Sequence, residues 1–320
     1  MSEIESLPGA PAPDPDARLA LVLLILTTVL WGTLYFITKI VTQSVPIFFF
    51  LGLRHLIALA AFAPLYGRLR RVDRKTIWMA VSTGAANFIL NVFQVYGLQT
   101  ISSGKSAFLT GFSVVLVPFL AWVILKKPIT RHTWIAAGVA LLGIGIMTLT
   151  GSATQLFQFG WGEALTLFGA LFAAIQIVYT ERFAPQVDLV DFSIIQLMVV
   201  AGLSFTCSAF VDSWQNLPLA SLPFWGAIIW MGVAVTTFPF MFQNFGQRHQ
   251  PSSRVAVIFT LEPVFATLFG ILFGGDSLTL QLILGGGLIM LANVIATSAV
   301  KTKPVVTSRG FDQLTGPQQA

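Results

Sequence analysis

Read for polarity alone, the chain alternates long apolar runs with short breaks rich in charge, proline or glycine. A bilayer-spanning helix needs about 20 mainly apolar residues. On that scale, runs fall at about 18–39, 46–66, 76–98, 103–125, 132–150, 160–181, 189–211, 222–246, 252–273 and 280–300. Pro46, the Gly67–Lys75 stretch, Pro128, Gly151-Ser152, Pro185, Pro218, Pro251 and Gly274-Gly275-Asp276 punctuate them, as residues that end helices or favour turns should. The gaps near 100 and 250 are short enough that a re-entrant hairpin is the alternative to two spans. The pattern predicts an all-α integral membrane protein of ten transmembrane helices. Residues 1–17, rich in Pro, Ala and acidic side chains, and 301–320 read as tails. The acidic start and the length of the first apolar run argue against a cleavable signal peptide.

The placement of charge tests that count. With the N-terminus in the cytoplasm and strict alternation, every Lys and Arg except Lys39, Lys105 and Arg54 falls on the cytoplasmic side, densest in Arg68, Arg70, Arg71, Arg74 and Lys75. This is the positive-inside bias, and one missed or invented helix in the middle would scramble it. Both termini are therefore expected in the cytoplasm of a cell-membrane protein.

Composition closes off other classes. Only 10% of residues are charged and 55% are hydrophobic, too few charges to cover a water-soluble surface, so most of the exterior must face lipid. The formal charge of +5 is accounted for by the cytoplasmic loops and gives no reason to expect nucleic acid. A single cysteine, Cys207, lies in an apolar run, so no disulfide framework exists. The three histidines, His55, His132 and His249, are scattered, and no metal-ligand spacing or Walker loop is present. No cofactor or metal is expected.

The sequence also repeats itself. Phe93-Gln94-Val95-Tyr96-Gly97 followed by Ser102-Ser103-Gly104-Lys105-Ser106-Ala107 aligns without a gap, at an offset of 149, with Phe242-Gln243-Asn244-Phe245-Gly246 followed by Pro251-Ser252-Ser253-Arg254-Val255-Ala256. The register runs on through Thr130/Thr279, Gly138/Gly287 and Leu142/Leu291. A five-helix unit is odd-numbered, so its second copy must enter the membrane upside down. The expected domains are 18–150 and 160–300, two inverted five-helix repeats.

Three features resemble the drug/metabolite transporter superfamily, and within it the EamA-like carriers. Leu30-Trp31-Gly32-Thr33 with Tyr35 and Lys39 is similar to the family's first-helix signature. Leu261-Glu262-Pro263-Val264-Phe265-Ala266, running to Gly274-Gly275-Asp276, is similar to its leucine–glutamate–proline motif and glycine–acid helix end. Arg54 stands where the family's second helix usually has arginine. The resemblance covers about 18–300 and implies a small-molecule carrier, most often an exporter of amino acids, drugs or other metabolites. Nucleotide-sugar and other solute exchangers also belong, so it fixes no cargo. In the first repeat, Lys126-Lys127-Pro128 replaces the glycine–glutamate helix end, and Val114 stands where the second repeat has Pro263. The missing proline predicts a straighter fourth helix.

Polar residues at lipid depth are costly and usually face the bundle interior. Asn87, Asn91 and Gln94 share one face of the third helix, with Thr236, Phe240 and Gln243 as repeat partners. Trp31, Tyr35 and Thr38 share a face of the first helix, opposite Phe172, Gln176 and Tyr179 of the sixth. Ser106, Thr110 and Ser113 align with Val255, Phe259 and Glu262. The candidate substrate-binding set is Trp31, Tyr35, Asn87, Asn91, Gln94, Thr110, Gln176, Tyr179, Phe240 and Gln243. Rings and uncharged amides suit a ligand with a planar or apolar part and a few hydrogen-bonding groups. The same side chains could instead bond helix to helix.

Arg54 and Glu262 stand apart as ionisable groups. Arg54 lies about 12 Å into its helix at 1.5 Å per residue, open to three readings: a clamp for a substrate anion, an ion-pair partner, or a long stem reaching the interface. Glu262 is either a proton-coupling group or a hydrogen-bonded acid stabilising the kink before Pro263. Lys105 and Arg254 read as helix-end charges. Ala136-Ala137-Gly138 and Gly285-Gly286-Gly287 suit close helix packing, which puts the fifth and tenth helices at the periphery, as scaffold or as a homodimer contact. A channel and an intramembrane enzyme are the rival readings. The first wants a repeated filter, the second a paired acid or Ser/Lys dyad that the chain does not offer Glu262.

Overall fold

The computed structural model describes residues 15–126, 131–148, 159–215, 217–250, 252–275 and 277–298, and among them every regular element is helical. The α-helices are α1 (Pro15–Val41), α2 (Ile47–Ala61), α3 (Arg74–Leu98), α4 (Ser103–Gly111), α5 (Ser113–Leu125), α6 (Arg131–Thr148), α7 (Trp161–Phe183), α8 (Leu189–Val211), α9 (Leu222–Ile229), α10 (Phe238–His249), α11 (Ser252–Phe259), α12 (Glu262–Phe273) and α13 (Leu280–Ser298). A π-helical stretch, Trp230–Thr237, joins α9 to α10, and 3₁₀ segments cover Ala63–Arg71 and Ala184–Gln186. Most of both predicted tails, Lys127-Pro128 and Asp276 lie outside the described residues, as does the Arg254 side chain.

Among the described residues, six helical stretches are long and apolar enough to cross a bilayer: Asp16–Val41, Arg74–Leu98, Ser103–Leu125, Trp161–Gln186, Leu189–Val211 and Leu222–His249. Shorter apolar helices cover Ile47–Ala61, Trp134–Gly143, Glu262–Phe273 and Leu280–Ala292. Local chemistry sets several starts. Asp73 caps α3 by accepting from the Thr76 N–H at 3.1 Å, and Asp188 caps α8 by accepting from the Val190 N–H at 2.9 Å. Ser102 and Ser221 do the same for Lys105 and Phe224. Each satisfies a backbone donor that the helix cannot. Near 100 the chain turns tightly, the Gln99 and Thr100 N–H groups bonding back to the Tyr96 and Gly97 carbonyls at 3.3 and 3.1 Å; Pro251, in the other short gap, lies outside the described residues. The second apolar run ends as α-helix at Ala61 rather than near 66, where Pro64 supports a 3₁₀ segment instead.

The fourth span departs from the straighter course expected of it. It breaks at Phe112, whose N–H bonds back to the Leu109 carbonyl three residues earlier. The break between α11 and α12 at Thr260-Leu261 is built alike, with the Leu261 N–H on the Ile258 carbonyl. Phe112 and Leu261 are equivalent in the 149-residue register. The two broken helices cross there, since a Cβ on Gly111 would lie 3.5 Å from the Pro263 ring. No proline stands at the first break itself, Pro118 lying six residues further on inside α5; the crossing at Gly111 accompanies it. The helix ends also correspond. Lys126 and its equivalent Gly275 both take left-handed φ, 58° and 72°, the turn that closes a helix and that only glycine adopts without strain.

Packing places polarity inside and apolar bulk outside. Tyr35, Phe50, Leu51, Leu98, Ile228 and Met231 are fully enclosed in one large cluster. Phe210, Leu222, Leu280, Leu142 and Val294 present their side chains outward. Helices α6 and α13 pack against each other, the Gly285 carbonyl lying over Gly143, while the Phe108 ring of α4 sits on Gly286 of α13. Gly138 and Gly287 face open space, so only some of the small residues expected to serve close packing do so.

Candidate functional site

The site is built where α1, α3, α4 and α12 converge. Gly32 lets α1 approach α12 so closely that a Cβ there would lie 2.5 Å from that of Phe265. One turn further along α1, Tyr35 is completely enclosed and donates its hydroxyl hydrogen to Glu262 Oε1 at 2.7 Å. The same phenol oxygen accepts from Gln94 Nε2 at 3.0 Å, and that amide also reaches Thr110 Oγ1 at 3.2 Å. Thr110 in turn donates to the Ser106 carbonyl. Three candidate residues, Tyr35, Gln94 and Thr110, and the Glu262 carboxylate, drawn from four helices, thus form one continuous polar cluster. A tyrosine both donating to an acid and accepting from an amide has no capacity left over for disorder.

A second amide group lies on α7 and α10. Gln243 Nε2 donates to Gln176 Oε1 at 3.1 Å, and Gln176 Nε2 to Thr180 Oγ1 at 3.3 Å. Both glutamines are buried. Trp31 meets Phe259 edge-on, with ring centres 5.1 Å apart, so an aromatic corner adjoins the polar cluster along α1. Asn91 donates to the carbonyl and the side-chain oxygen of Asn87, both at 2.8 Å, which spends that pair largely on its own helix.

Two candidates stand elsewhere. Phe240 is buried in an apolar cluster with Ala58, Leu59, Ile194 and Leu197. Tyr179 stacks near Phe183 and lines a cleft of about 590 Å³ with Arg74, Lys75, Trp78, Met79 and Arg182. Arg54 does not reach an interface. Its side chain is buried, its Nε donates to Thr236 Oγ1 at 2.7 Å, and its Nη1 has no hydrogen-bond partner. Thr236 belongs to the π-helical stretch and donates to the Met231 carbonyl five residues back. The wide helix turn therefore aims a hydroxyl oxygen at the guanidinium. π-turns of this kind recur at functional sites.

Sequence reasoning missed three features. Lys105, read as a helix-end charge, pairs with the buried carboxylate of Glu163 on α7, which also accepts from the Gly160 N–H. A glutamate three residues after a helix-starting glycine was the available signal. His55 is fully buried beside Arg54, its Nδ1 2.7 Å from the Leu51 carbonyl and its Nε2 unpartnered. Asn244 bridges Ser193 and Gln196, and Gln196 donates on to Thr83, tying α3, α8 and α10 together. Each amide was visible as a polar residue in an apolar run, but nothing in the sequence paired them.

Comparison with known proteins agrees with this architecture. A protein of Archaeoglobus fulgidus described as an uncharacterized transporter is 29% identical over 285 residues, covering 89% of this chain and 86% of its own. The S-adenosylmethionine/S-adenosylhomocysteine transporter of Chlamydia muridarum is 24% identical over 290 residues, covering 85% and 90%. A solved crystal structure of 19% identity superposes with a TM-score of 0.64 over 87% of this chain and 96% of its own, a likeness of fold. The sequence profile of the EamA-like transporter family matches residues 18–149 and 160–298. The chain is a multi-pass membrane transporter and belongs to the EamA-like transporter family, within the drug/metabolite transporter superfamily.

Proposed function

We propose that this protein is a ten-helix carrier of two inverted five-helix repeats, moving a small amphiphilic metabolite by alternating access. The carrying observation is the cluster Tyr35–Glu262–Gln94–Thr110, assembled from both halves of the chain next to the crossing of two interrupted helices. Interrupted helices at a repeat interface are where secondary transporters hold their substrates, because rocking one half against the other opens that point to each side in turn. The recurrence of the break at Phe112 and Leu261, and of left-handed helix ends at Lys126 and Gly275, supports the repeat reading.

The cargo that fits best is an amino acid or amino-acid-bearing amphiphile. Glu262 supplies an acid for an ammonium group, and the unpartnered Nη1 of Arg54 supplies a donor for a carboxylate. Trp31 and Phe259 offer an apolar wall for a planar or aliphatic side group. The Chlamydia relative's cargo is of that chemical type and belongs in the test panel. Export across the cell membrane, with both termini cytoplasmic, follows the family pattern and the charge bias.

The test is counterflow in proteoliposomes, using labelled amino acids, S-adenosylmethionine and nucleotide-sugars, with and without a pH gradient. Saturable flux stimulated by unlabelled substrate on the far side is the expected outcome. A gradient effect abolished by Glu262→Gln would make that residue the coupling group. Flux that never saturates would indicate a channel and overturn the carrier reading.

A further inference from the structure

The cleft that takes Tyr179 away from the central cluster has a chemistry of its own. It lies between the start of α3 and the end of α7, has a volume of about 590 Å³, and is lined by Arg74, Lys75, Trp78, Met79, Tyr179, Arg182 and Phe183. Three of its seven lining residues are cations and three are aromatic. Lys75 Nζ bonds Gln186 Oε1 at 3.0 Å, and Arg182 Nη1 bonds the Ile124 carbonyl at 3.3 Å. Each retains donors beyond those bonds, and Arg74 adds a whole guanidinium at the first turn of α3, where helix N–H groups add positive potential. Asp73 sits beside them, but its carboxylate is held by the Thr76 N–H as the α3 cap. Glu181 is the other neighbouring acid and is engaged by an interaction of its own.

Trp78 is 69% exposed, and Arg74, Lys75 and Arg182 are exposed beside it over a floor of buried Met79 and half-buried Tyr179 and Phe183, so the cleft opens outward. An indole at the edge of an apolar helix, next to guanidinium and ammonium groups, is the arrangement found at the depth of lipid headgroups. Basic pockets between transmembrane helices on the cytoplasmic side bind anionic headgroups. We propose that this cleft is a binding site for the phosphate headgroup of an anionic phospholipid, with Arg74, Lys75 and Arg182 on the phosphate and Trp78 and Tyr179 beside the glycerol region. It is separate from the proposed substrate site, none of whose bonded members lines it. Occupancy would brace α3 against α7, two helices that both contribute to the polar clusters.

Purified full-length protein is titrated with phosphatidylglycerol or phosphatidylcholine in detergent, and bound lipid is counted by native mass spectrometry. The wild type is expected to retain phosphatidylglycerol selectively. Each of Arg74→Gln and Arg182→Gln should weaken retention about fivefold, the equivalent of about 1 kcal/mol per basic residue at an anionic surface. Arg131→Gln, which removes an exposed charge outside the cleft, is the control. Equal losses in Arg131→Gln, or no preference over phosphatidylcholine, would overturn the proposal. Inorganic phosphate at millimolar concentration is the competing arm; displacement of the lipid at that level would make this a soluble-phosphate site instead. Trp78→Ala, which keeps all three cations, should lower retention of the lipid without altering any effect of free phosphate. Because binding is read without transport, a negative result leaves the carrier reading untouched.

Discussion

The close approach at Gly32 can be perturbed by one methyl group, with consequences computable from the structure. In Gly32→Ala the new Cβ would lie 2.5 Å from the Phe265 Cβ and 2.9 Å from its carbonyl carbon, where ordinary contacts run 3.4–4 Å. The obstacle is backbone of α12, which cannot rotate away, so α1 and α12 must separate by about 0.9 Å at that level (the shortfall from 3.4 Å) or bend. Overpacking of this kind costs about 1–3 kcal/mol. Gly32 lies one turn from Tyr35, and Phe265 one turn from Glu262, so the same displacement stretches their 2.7 Å bond toward the limit of a hydrogen bond. Gly32→Ala should therefore lower thermal stability and depress transport together, read by fluorescence-detected melting and by proteoliposome counterflow. Gly138→Ala is the matched control: nothing lies within 4 Å of its Cβ, and alanine is the better helix former by up to about 1 kcal/mol. It should melt at or above wild type. A Gly32→Ala protein with wild-type melting and wild-type flux would refute the idea that this crossing sets the site's geometry.

Other perturbations test neighbouring parts of the argument. Tyr35→Phe keeps the ring but strands the Gln94 and Glu262 groups that the hydroxyl joins; a loss of about 1–2 kcal/mol in stability with a larger loss of counterflow is expected, whereas unchanged counterflow would remove Tyr35 from the site. Lys126→Gly relieves a lysine held at φ 58° and should stabilise by about 1 kcal/mol; a lower melting temperature would mean the left-handed turn is not native. Glu163→Gln breaks the ion pair with Lys105, and Lys105→Met breaks it from the other side; each should cost about 3 kcal/mol, with strong non-additivity in the double variant, and simple additivity would show the pair is uncoupled. Asp73 has its carboxylate pKa held below the ordinary value by the bonds from Thr76, so its cap contributes stability in full above that value and loses it as pH falls through the lowered one. Melting curves of wild type and Asp73→Ala should accordingly differ at neutral pH and converge in acid.

The sequence by itself determined that this is a helical membrane protein and which family it belongs to. Apolar run length against bilayer thickness, and the cost of exposing backbone polar groups to lipid, leave little freedom at that level. The 149-residue register pairs the positions where the helices break and where they end in a left-handed turn, but the breaks and turns themselves came from the structure, against the straighter fourth helix expected. Helical periodicity put Gln94 on an inward face, and the first-helix and ninth-helix motifs singled out Tyr35 and Glu262. What only the tertiary structure decided is which of these groups meet. Tyr35 finds Glu262 across 227 positions of chain, and Arg54 finds Thr236 across 182, pairings set by how closely particular glycines let helices approach. The same dependence moved Tyr179 to a basic cleft and Phe240 into apolar packing, since both share helix faces with site residues but lie on turns that pass other neighbours. It also broke the fourth helix at Phe112, six residues ahead of its Pro118, and paired Lys105 with Glu163. Periodicity reports which face of a helix is inward; depth and partner depend on the crossing of two helices, which no single run of sequence contains.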